Sequence, residues 1–414
     1  MRDELLRELF NPANRSDPFP VYARIREAGP LTLPYGPMTV VGRYADCRAI
    51  LNDPNASSDR RKSNLASIRR ERTGKGSAPL LDKPMFLFLD PPDHTRLRGL
   101  VSKAFTPRLV SQLEPFARQV VDDALDGAAE RGHLEVLSDL AIPLPVAVIC
   151  TMLGVPLADM SLFADWATHL ARSLDPLTGH APDEESTARV KTSITDYFKK
   201  LIVRRRADPG DDLFSALVSL EDSGGPLTED ELISTCAVLV MAGFETTVNL
   251  IANGVLALLR HPDEWAALAV DPGRATGVVE ETLRYDPPVH LISRVATCDM
   301  EVGRVTVDRG SFVLLVVAAA GRDPALVDDP DKFDAGRSSH RHLAFSTGPH
   351  FCLGASIARL EAKLALTRIT QRVRGASLTG RPLRYKENIS LRGLIELPVA
   401  IDDIAPRTLR WPIT

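Results

Sequence analysis

One long stretch of the chain, from Thr228 to Arg260, most constrains how this sequence can fold. Thr228-Glu229-Asp230-Glu231 has the pattern of a capping box, and the residues after it keep a helical spacing without proline until His261-Pro262. At about 1.5 Å per residue, such a helix spans roughly 50 Å, enough to cross a whole domain. Because its composition is apolar, we expect it to lie in the core.

Glu245 is the only charged residue between Glu231 and Arg260. A carboxylate in an apolar core is costly unless it is paired, hydrated or neutralised. Gly243 and a threonine that bonds back to the main chain can open the helical hydrogen-bond ladder and admit water. We therefore favour a function for Glu245 over the alternative of a glutamate that faces solvent.

The composition of the 414 residues is that of an ordinary globular protein, with 44% hydrophobic and 25% charged residues. No linker, repeat or charge block divides the chain, so we expect residues 1–414 to form a single domain. A formal charge of −4 gives no general attraction to nucleic acid.

The cysteines do not form a metal or disulfide pattern. No Cys-x-x-Cys pair occurs among the five of them: Cys47, Cys150, Cys236, Cys298 and Cys352. This usage fits a reducing cytoplasm. The N-terminus lacks the apolar core of a signal peptide, so we expect a cytoplasmic protein without a membrane span.

The periodicity predicts a helical majority with small sheets at one side. Helical spacing dominates residues 92–259, with breaks at 175–179 and 223–226, and a helix is also predicted at 44–51. A polar surface loop is predicted at 63–79. Strands are predicted at 31–33, 38–41, 294–297, 301–307 and 312–317, and a hairpin around 391–395. The predicted fold class is mainly α (α+β).

Residues 345–354, Phe-Ser-Thr-Gly-Pro-His-Phe-Cys-Leu-Gly, surround Cys352 with the groups that a metal-bound thiolate needs. Such a sulfur must be deprotonated, shielded from water and approached by backbone N–H groups. Gly348 allows a backbone conformation closed to other residues, and Phe345 can keep the sulfur dry. The alternative for Cys352 alone is a small buried hydrophobe.

The pattern Phe-x-x-Gly-x-His-x-Cys-x-Gly, followed by the helix-forming run 355–362, resembles the haem-binding loop of the cytochrome P450 family. The resemblance implies the P450 fold and haem b (iron protoporphyrin IX) with Cys352 as the iron ligand. Phe345, Gly348, His350 and Gly354 would surround that cofactor. The chain departs at Ser346, where the resembled loop commonly has glycine, so the local turn is in question.

Residues 242–247, Ala-Gly-Phe-Glu-Thr-Thr, resemble the oxygen-activation motif of the same family. By that resemblance Thr246 would hydrogen-bond dioxygen and Glu245 would relay protons to it through water. Ala242 and Gly243 would leave space for dioxygen and substrate. O–O cleavage requires such proton delivery.

Glu281 and Arg284 lie three residues apart and so share a helical face. Such pairs are usually solvated surface pairs. Here they resemble the Glu-x-x-Arg signature of the family, in which Arg337 would complete a network that fixes the Cys352 loop.

The resemblance also implies partners for the two haem propionates. His94, Arg98, Arg294 and His350 match family positions that contact propionates, whereas each taken alone could be a surface cation. Arg96 faces away from Arg98, and we expect it at the surface.

The resemblance implies a monooxygenase that inserts one atom of O2 into a hydrophobic small molecule. Electrons would come from NAD(P)H through a separate ferredoxin reductase and ferredoxin, and we expect a monomer. The predicted docking patch consists of Arg98, Lys103, Arg341, Arg359 and Lys363. Two alternatives are a haem-binding sensor or carrier and a peroxide-dependent peroxygenase.

The substrate itself is not specified by the sequence. An apolar cavity is suggested by Phe86, Leu291, Ile292 and Leu394, each of which could equally be core.

Overall fold

The structure, a computed structural model, describes residues 2–33, 37–65, 81, 83–103, 105–172, 183–222 and 227–407. Most of the predicted polar loop at 63–79 and both predicted helix breaks lie outside these residues. The helices are α1 (Arg2–Phe10), α2 (Phe19–Ala28), α3 (Tyr44–Asn52), α4 (Asp93–Ser102), α5 (Pro107–Arg131), α6 (Pro143–Met152), α7 (Met160–Arg172), α8 (Glu184–Ala207), α9 (Leu213–Asp222), α10 (Glu229–Arg260), α11 (Pro262–Val270), α12 (Ala275–Tyr285), α13 (Val317–Gly321) and α14 (Ala355–Arg372).

The strands are short and lie in small sheets. They are β1 (Leu31–Thr32), β2 (Met38–Val41), β3 (Ala56–Ser57), β4 (Leu134–Glu135), β5 (Leu291–Ala296), β6 (Met300–Val302), β7 (Val305–Val307), β8 (Phe312–Val316), β9 (Val373–Arg374), β10 (Ser377–Leu378), β11 (Pro398–Ala400) and β12 (Asp403–Ile404). The largest sheet has the order β1-β2-β8-β5-β3, with β2 and β8 parallel and the other neighbours antiparallel. The predicted fold class is confirmed.

The predicted long helix is α10, and its capping box is formed as expected. The Glu231 N–H donates to Thr228 Oγ1 at 3.3 Å, and the Thr228 N–H donates to the Glu231 carboxylate at 3.0 Å. The helix contacts α6, α7, α12 and α14. Among the described residues it alone has the length and apolar composition to cross a membrane, but 83% of its most apolar 18-residue window is buried inside the protein.

Two strand predictions differ from the structure. The predicted strand 301–307 is the hairpin β6–β7, because the chain turns at Gly303 with φ 61°. The predicted hairpin at 391–395 is wrong, since these residues pair with earlier segments instead. The Lys386 N–H donates to the Gly393 carbonyl at 2.9 Å, and single bridges join Tyr385 to Leu394 and Val289 to Leu391.

The predicted site residues lie on or next to α10, α14 and β5. Cys352 lies just before α14, which packs against α10 and α12. The register of β5 against β8 pairs Ile292 with Leu315 and Arg294 with Val313. Since residues two apart on a strand share a face, Ile292 and Arg294 point to the same side of the sheet.

Candidate functional site

A cavity of about 310 Å³ lies between the middle of α10, the start of α14, β5 and the turn Phe86–Phe88. The predicted site residues that line it are Phe86, Arg98, Ala242, Gly243, Thr246, Leu291, Ile292, Arg294, Phe345, His350, Cys352 and Gly354. Most of its walls are apolar, which suits a ligand with a large hydrophobic surface.

Backbone hydrogen bonds hold the loop around Cys352 in a tight turn. The Cys352 N–H donates to the Phe345 carbonyl at 2.8 Å, and the Phe351 N–H donates to the Gly348 carbonyl at 3.0 Å. Gly348 has φ 69°, and a Cβ there would lie 2.8 Å from Asn52 Oδ1, so glycine is required. Ser346 has φ 59°. The left-handed turn is therefore retained at the position where the chain departs from the resembled loop.

Burial and nearby donor groups have opposite effects on the ionisation of the Cys352 sulfur. Burial raises the pKa of the thiol, and the Gly354 N–H, Arg98 and Arg359 act in the opposite direction. A buried thiol that is approached by an N–H donor and two cations becomes a thiolate when a metal ion binds it. Since a Cβ on Gly354 would meet no atom within 4 Å, the space beside the sulfur is open.

Four nitrogen-bearing side chains form a cluster near one edge of the cavity. The rings of His94 and His350 lie 4.0 Å apart, and His350 Nε2 is 3.0 Å from Ser58 Oγ. Arg294 Nη1 donates to the Ser293 carbonyl at 2.9 Å, and Arg98 donates to the Phe351 carbonyl. Among the described residues, neither ring nitrogen of the buried His94 has a hydrogen-bond partner.

No carboxylate among the described residues forms an ion pair with these four side chains. Burial lowers the pKa of Arg294 to about 10, and burial together with the charge of Arg294 lowers the pKa of His350 to about 3. Burial also lowers the pKa of His94, followed by the charge of Arg98. Nearby Asp90 already accepts hydrogen bonds from Lys62 and Ser58. Two carboxylates such as haem propionates would supply the partners that these groups lack, so the residues fit haem.

The opposite wall is formed by α10. The Thr246 hydroxyl donates to the Ala242 carbonyl at 2.7 Å, which is the back-bonding expected from the sequence. A Cβ on Gly243 would lie 3.7 Å from Ile149, so this wall has room. Glu245 points to another side of the helix and is not part of the cavity wall. Its carboxylate accepts a hydrogen bond from Lys386 Nζ at 2.6 Å.

Comparisons with known proteins agree with this geometry. The sequence model of the family described as Cytochrome P450 matches residues 31–269 and 275–392. The chain is 38% identical over 401 residues to the vitamin D(3) 25-hydroxylase of Pseudonocardia autotrophica, with 95% of this chain and 96% of that protein covered. It is 40% identical over 395 residues to the cytochrome P450 monooxygenase PikC of Streptomyces venezuelae, with 93% and 91% covered.

Among solved structures, ligand-free CYP164A2 from Mycobacterium smegmatis matches with a TM-score of 0.88 at 49% identity, covering 96% of this chain and 100% of that chain. The chain belongs to the cytochrome P450 family. It is a monooxygenase of this family, and the family implies a haem–thiolate cofactor, O2, a hydrophobic substrate and redox partners. The resemblance stated from the sequence is confirmed.

The Glu-x-x-Arg pair at the centre of the predicted network is completely buried in this P450. The side chains of Glu281 and Arg284 are both 0% exposed and are joined by two hydrogen bonds of 2.8 and 2.7 Å. Arg337 Nε donates to Glu281 at 3.1 Å, and the Asp334 N–H donates to the same oxygen at 2.9 Å. Arg284 and Arg337 both donate to the Lys332 carbonyl, so the network ties α12 to the segment before the Cys352 loop.

Some predicted residues of the P450 site do not face the cavity. Leu394 is fully buried in the core because its segment packs against α10, where Gly393 meets Asn249. His94 stacks behind His350, and Gly348 contacts Asn52. Arg96 is paired with Glu231 at 2.5 Å and is partly exposed, as expected for the surface.

Sequence reasoning missed three residues of this P450 site. Ser58 lines the cavity beside His350, and Lys386 pairs with Glu245. Glu361 also lines the cavity, and burial raises its pKa well above the usual value. The sequence did signal that Glu245 needed a partner, but nothing local identified Lys386.

The predicted docking patch is only partly exposed. Arg359 is bonded to Glu280 at 2.6 Å and lies over the ring of Phe345, and Arg98 turns inward. Lys103, Arg341 and Lys363 are exposed.

Proposed function

We propose that this P450 binds haem b through Cys352 and inserts one atom of O2 into a hydrophobic small molecule. The observation that supports this most strongly is the Cys352 sulfur, approached by the Gly354 N–H, in the wall of the same cavity as Thr246. Bound haem supplies the redox chemistry. The protein supplies the thiolate, the propionate partners His94, Arg98, Arg294 and His350, and a proton route through Glu245 and Thr246.

The haem–thiolate proposal is tested by spectroscopy. Reduced protein under carbon monoxide should have a strongly red-shifted Soret band, and Cys352→Ser should lose it while keeping the fold. Because the chain has no Cys-x-x-Cys-His attachment motif, acidified solvent should extract haem b intact. An unshifted band at full haem loading would refute thiolate ligation.

Electron supply is proposed to come from NAD(P)H through a ferredoxin reductase and a ferredoxin that docks near the Cys352 loop. The exposed cations Lys103, Arg341 and Lys363 support an acidic partner. Their replacement by glutamate should slow reduction and weaken its salt dependence, whereas the same change at Lys199 and Lys200 on α8 should not. An unchanged reduction rate and salt dependence would refute the patch.

Two competing functions are oxidation of the substrate by hydrogen peroxide and haem binding as a sensor or carrier without turnover. Product formation with hydrogen peroxide alone, compared with ferredoxin, reductase and NAD(P)H, separates them. We expect product only with the electron-transfer system, since Thr246 and Glu245 are suited to proton delivery during reductive oxygen activation.

The substrate is proposed to be a hydrophobic molecule that contacts Phe86, Leu291 and Ile292. Apolar cavity walls support this, as does the relative named for 25-hydroxylation of vitamin D(3). A spin-state screen of apolar compounds, followed by product analysis, tests it. Replacing Ile292 with a larger residue should weaken binding without changing the haem spectrum.

We further propose a cytoplasmic, monomeric protein whose residues 1–414 form one unit without nucleic-acid binding. The burial of α10 and the absence of disulfides among the described cysteines support this location.

A further inference from the structure

One face of α10 carries a row of polar side chains. Glu245, Asn249 and Asn253 follow one another at four-residue intervals and therefore lie on the same side of the helix. All three are buried. Polar groups in such an apolar helix need hydrogen-bond partners, so the surroundings of this row are informative.

The segment 385–393 covers this row. Lys386 Nζ is 2.6 Å from Glu245 Oε1, and a Cβ on Gly393 would lie 2.0 Å from Asn249 Oδ1. Asn253 Nδ2 donates to the Asp286 carbonyl at 3.1 Å and to the Arg392 carbonyl at 3.4 Å. The backbone of this segment therefore lies directly against the polar face of α10.

Some polar atoms at this contact have no hydrogen-bond partner among the described residues. Both amide atoms of Asn249 and Oδ1 of Asn253 are buried without a hydrogen-bond partner among the described residues. A second cavity of about 30 Å³ is lined by Tyr385, Lys386 and Gly393 and also by Glu8 and Asn11 near the surface. That volume is enough for about one water molecule, and a polar lining favours hydration.

Two sides of α10 face different surroundings in this region. Ala242, Gly243 and Thr246 face the large cavity, whereas the Glu245 carboxylate faces Lys386. The Lys386 side chain is 30% exposed, and that of Glu245 is 7% exposed. Lys386, the more exposed member of the pair, therefore lies on the solvent side of Glu245.

We propose that Lys386 transfers protons from solvent to Glu245 and is the positioning residue of the proton route. This rests on the proposed monooxygenase function. In each transfer the Lys386 ammonium gives one proton to the Glu245 carboxylate, and the resulting amine accepts a proton that solvent supplies as hydronium through the water of the small cavity. Neutral water then remains and no hydroxide is left. When Glu245 passes its proton toward Thr246, the pair returns to its starting charges. No electron moves in these steps.

Lys386→Arg is the decisive variant, because a guanidinium keeps the charge but does not release a proton near neutral pH. In haem-loaded enzyme we expect unchanged substrate binding and product formation about 100-fold slower, at the low end of the range for positioned proton transfer. The solvent deuterium isotope effect should increase. Lys199→Met, which removes an exposed lysine on α8, is the matched control and should leave the rate of product formation and the isotope effect unchanged.

A double-variant cycle tests whether the effect passes through Glu245. Lys386→Arg should slow the wild type but have no further effect in a Glu245→Gln background. Additive effects would overturn the proposal, as would a wild-type rate and isotope effect in Lys386→Arg.

Infrared spectroscopy of the resting protein provides a measurement that is independent of turnover. Lys386→Met should gain a protonated-carboxyl band that is missing from the Lys386→Met/Glu245→Gln double variant, because a buried carboxylate that loses its cation takes up a proton. Failure to gain this band would overturn the pairing. If the wild type lacks the red-shifted carbon monoxide band or forms no product, the proposed function fails instead.

Discussion

The first prediction concerns the protonation state of the buried Glu361 side chain. This residue on α14 is 2% exposed, and its Oε2 has no hydrogen-bond partner among the described residues. Burial raises its pKa well above the ordinary value of 4.5. We therefore expect a neutral carboxylic acid, so that Glu361→Gln replaces one neutral group with another of nearly the same shape.

The magnitude follows from proton linkage. Because the folded-state pKa is raised, the unfolded chain releases this proton at a lower pH than the folded chain does. Folding then takes up a proton, so the free energy of unfolding falls as pH rises above 4.5. The loss is about 1.4 kcal/mol for each pH unit until the folded-state pKa is passed. Below 4.5 both states are protonated and the effect disappears.

The free energy of unfolding of the wild type and of Glu361→Gln can be compared by urea unfolding of the haem-loaded proteins. Unfolding is followed by far-UV circular dichroism from about pH 5 to about pH 8. Glu361→Gln should match the wild type at the acidic end and become more stable than it as pH rises. Glu130→Gln, an exposed change on α5, should stay within about 0.5 kcal/mol of the wild type throughout. A Glu361→Gln variant that is less stable at neutral pH would mean that the carboxyl is ionised and paired.

Three further predictions concern the same site. Ser346→Gly should raise the free energy of unfolding by about 1 kcal/mol in urea titrations, because glycine adopts φ 59° without strain; a loss of stability would show that the Ser346 hydroxyl is needed. Glu281→Gln should cost about 3–5 kcal/mol in thermal unfolding and loosen haem retention, since it leaves Arg284 buried without its anion; normal haem retention would contradict the proposed support of the Cys352 loop. Thr246→Ala should lower product formed per NAD(P)H and increase released peroxide, because proton delivery is impaired; equal coupling would refute the relay.

Local signals were sufficient for the main elements of the fold. The ends of α10 were predictable because the Thr228 cap and the His261-Pro262 stop are both short-range features. The Glu281–Arg284 pair was also visible from its spacing, but its burial was not. Residues of that spacing usually lie at the surface, and only the packing of α12 against α14 and the segment before the Cys352 loop removes them from water.

The two carboxylates near the cavity differ in how far sequence can explain them. Arg359, which is partly exposed, and Lys363, which is exposed, lie four residues apart on one face of α14. Glu361 lies about 200° around the helix from Arg359 and points inward. Because its charged neighbours indicate a solvated segment, the burial of Glu361 could not be predicted from the sequence. For Glu245 the sequence indicated a missing partner, but Lys386 lies 141 residues away in a segment without regular structure. Only the tertiary fold identifies that contact.

Glu245 and Glu361 differ in their suitability for carrying protons. Two carboxyl groups whose surroundings favour different protonation states commonly have different chemical roles. Glu361 is 2% exposed and its Oε2 has no hydrogen-bond partner among the described residues, so burial favours the neutral acid. Glu245 is bonded to a partly exposed lysine beside a small polar cavity, so a proton lost there can be replaced. We therefore expect Glu245 to carry the protons used in each turnover, while Glu361 remains neutral and sets the polarity of the wall.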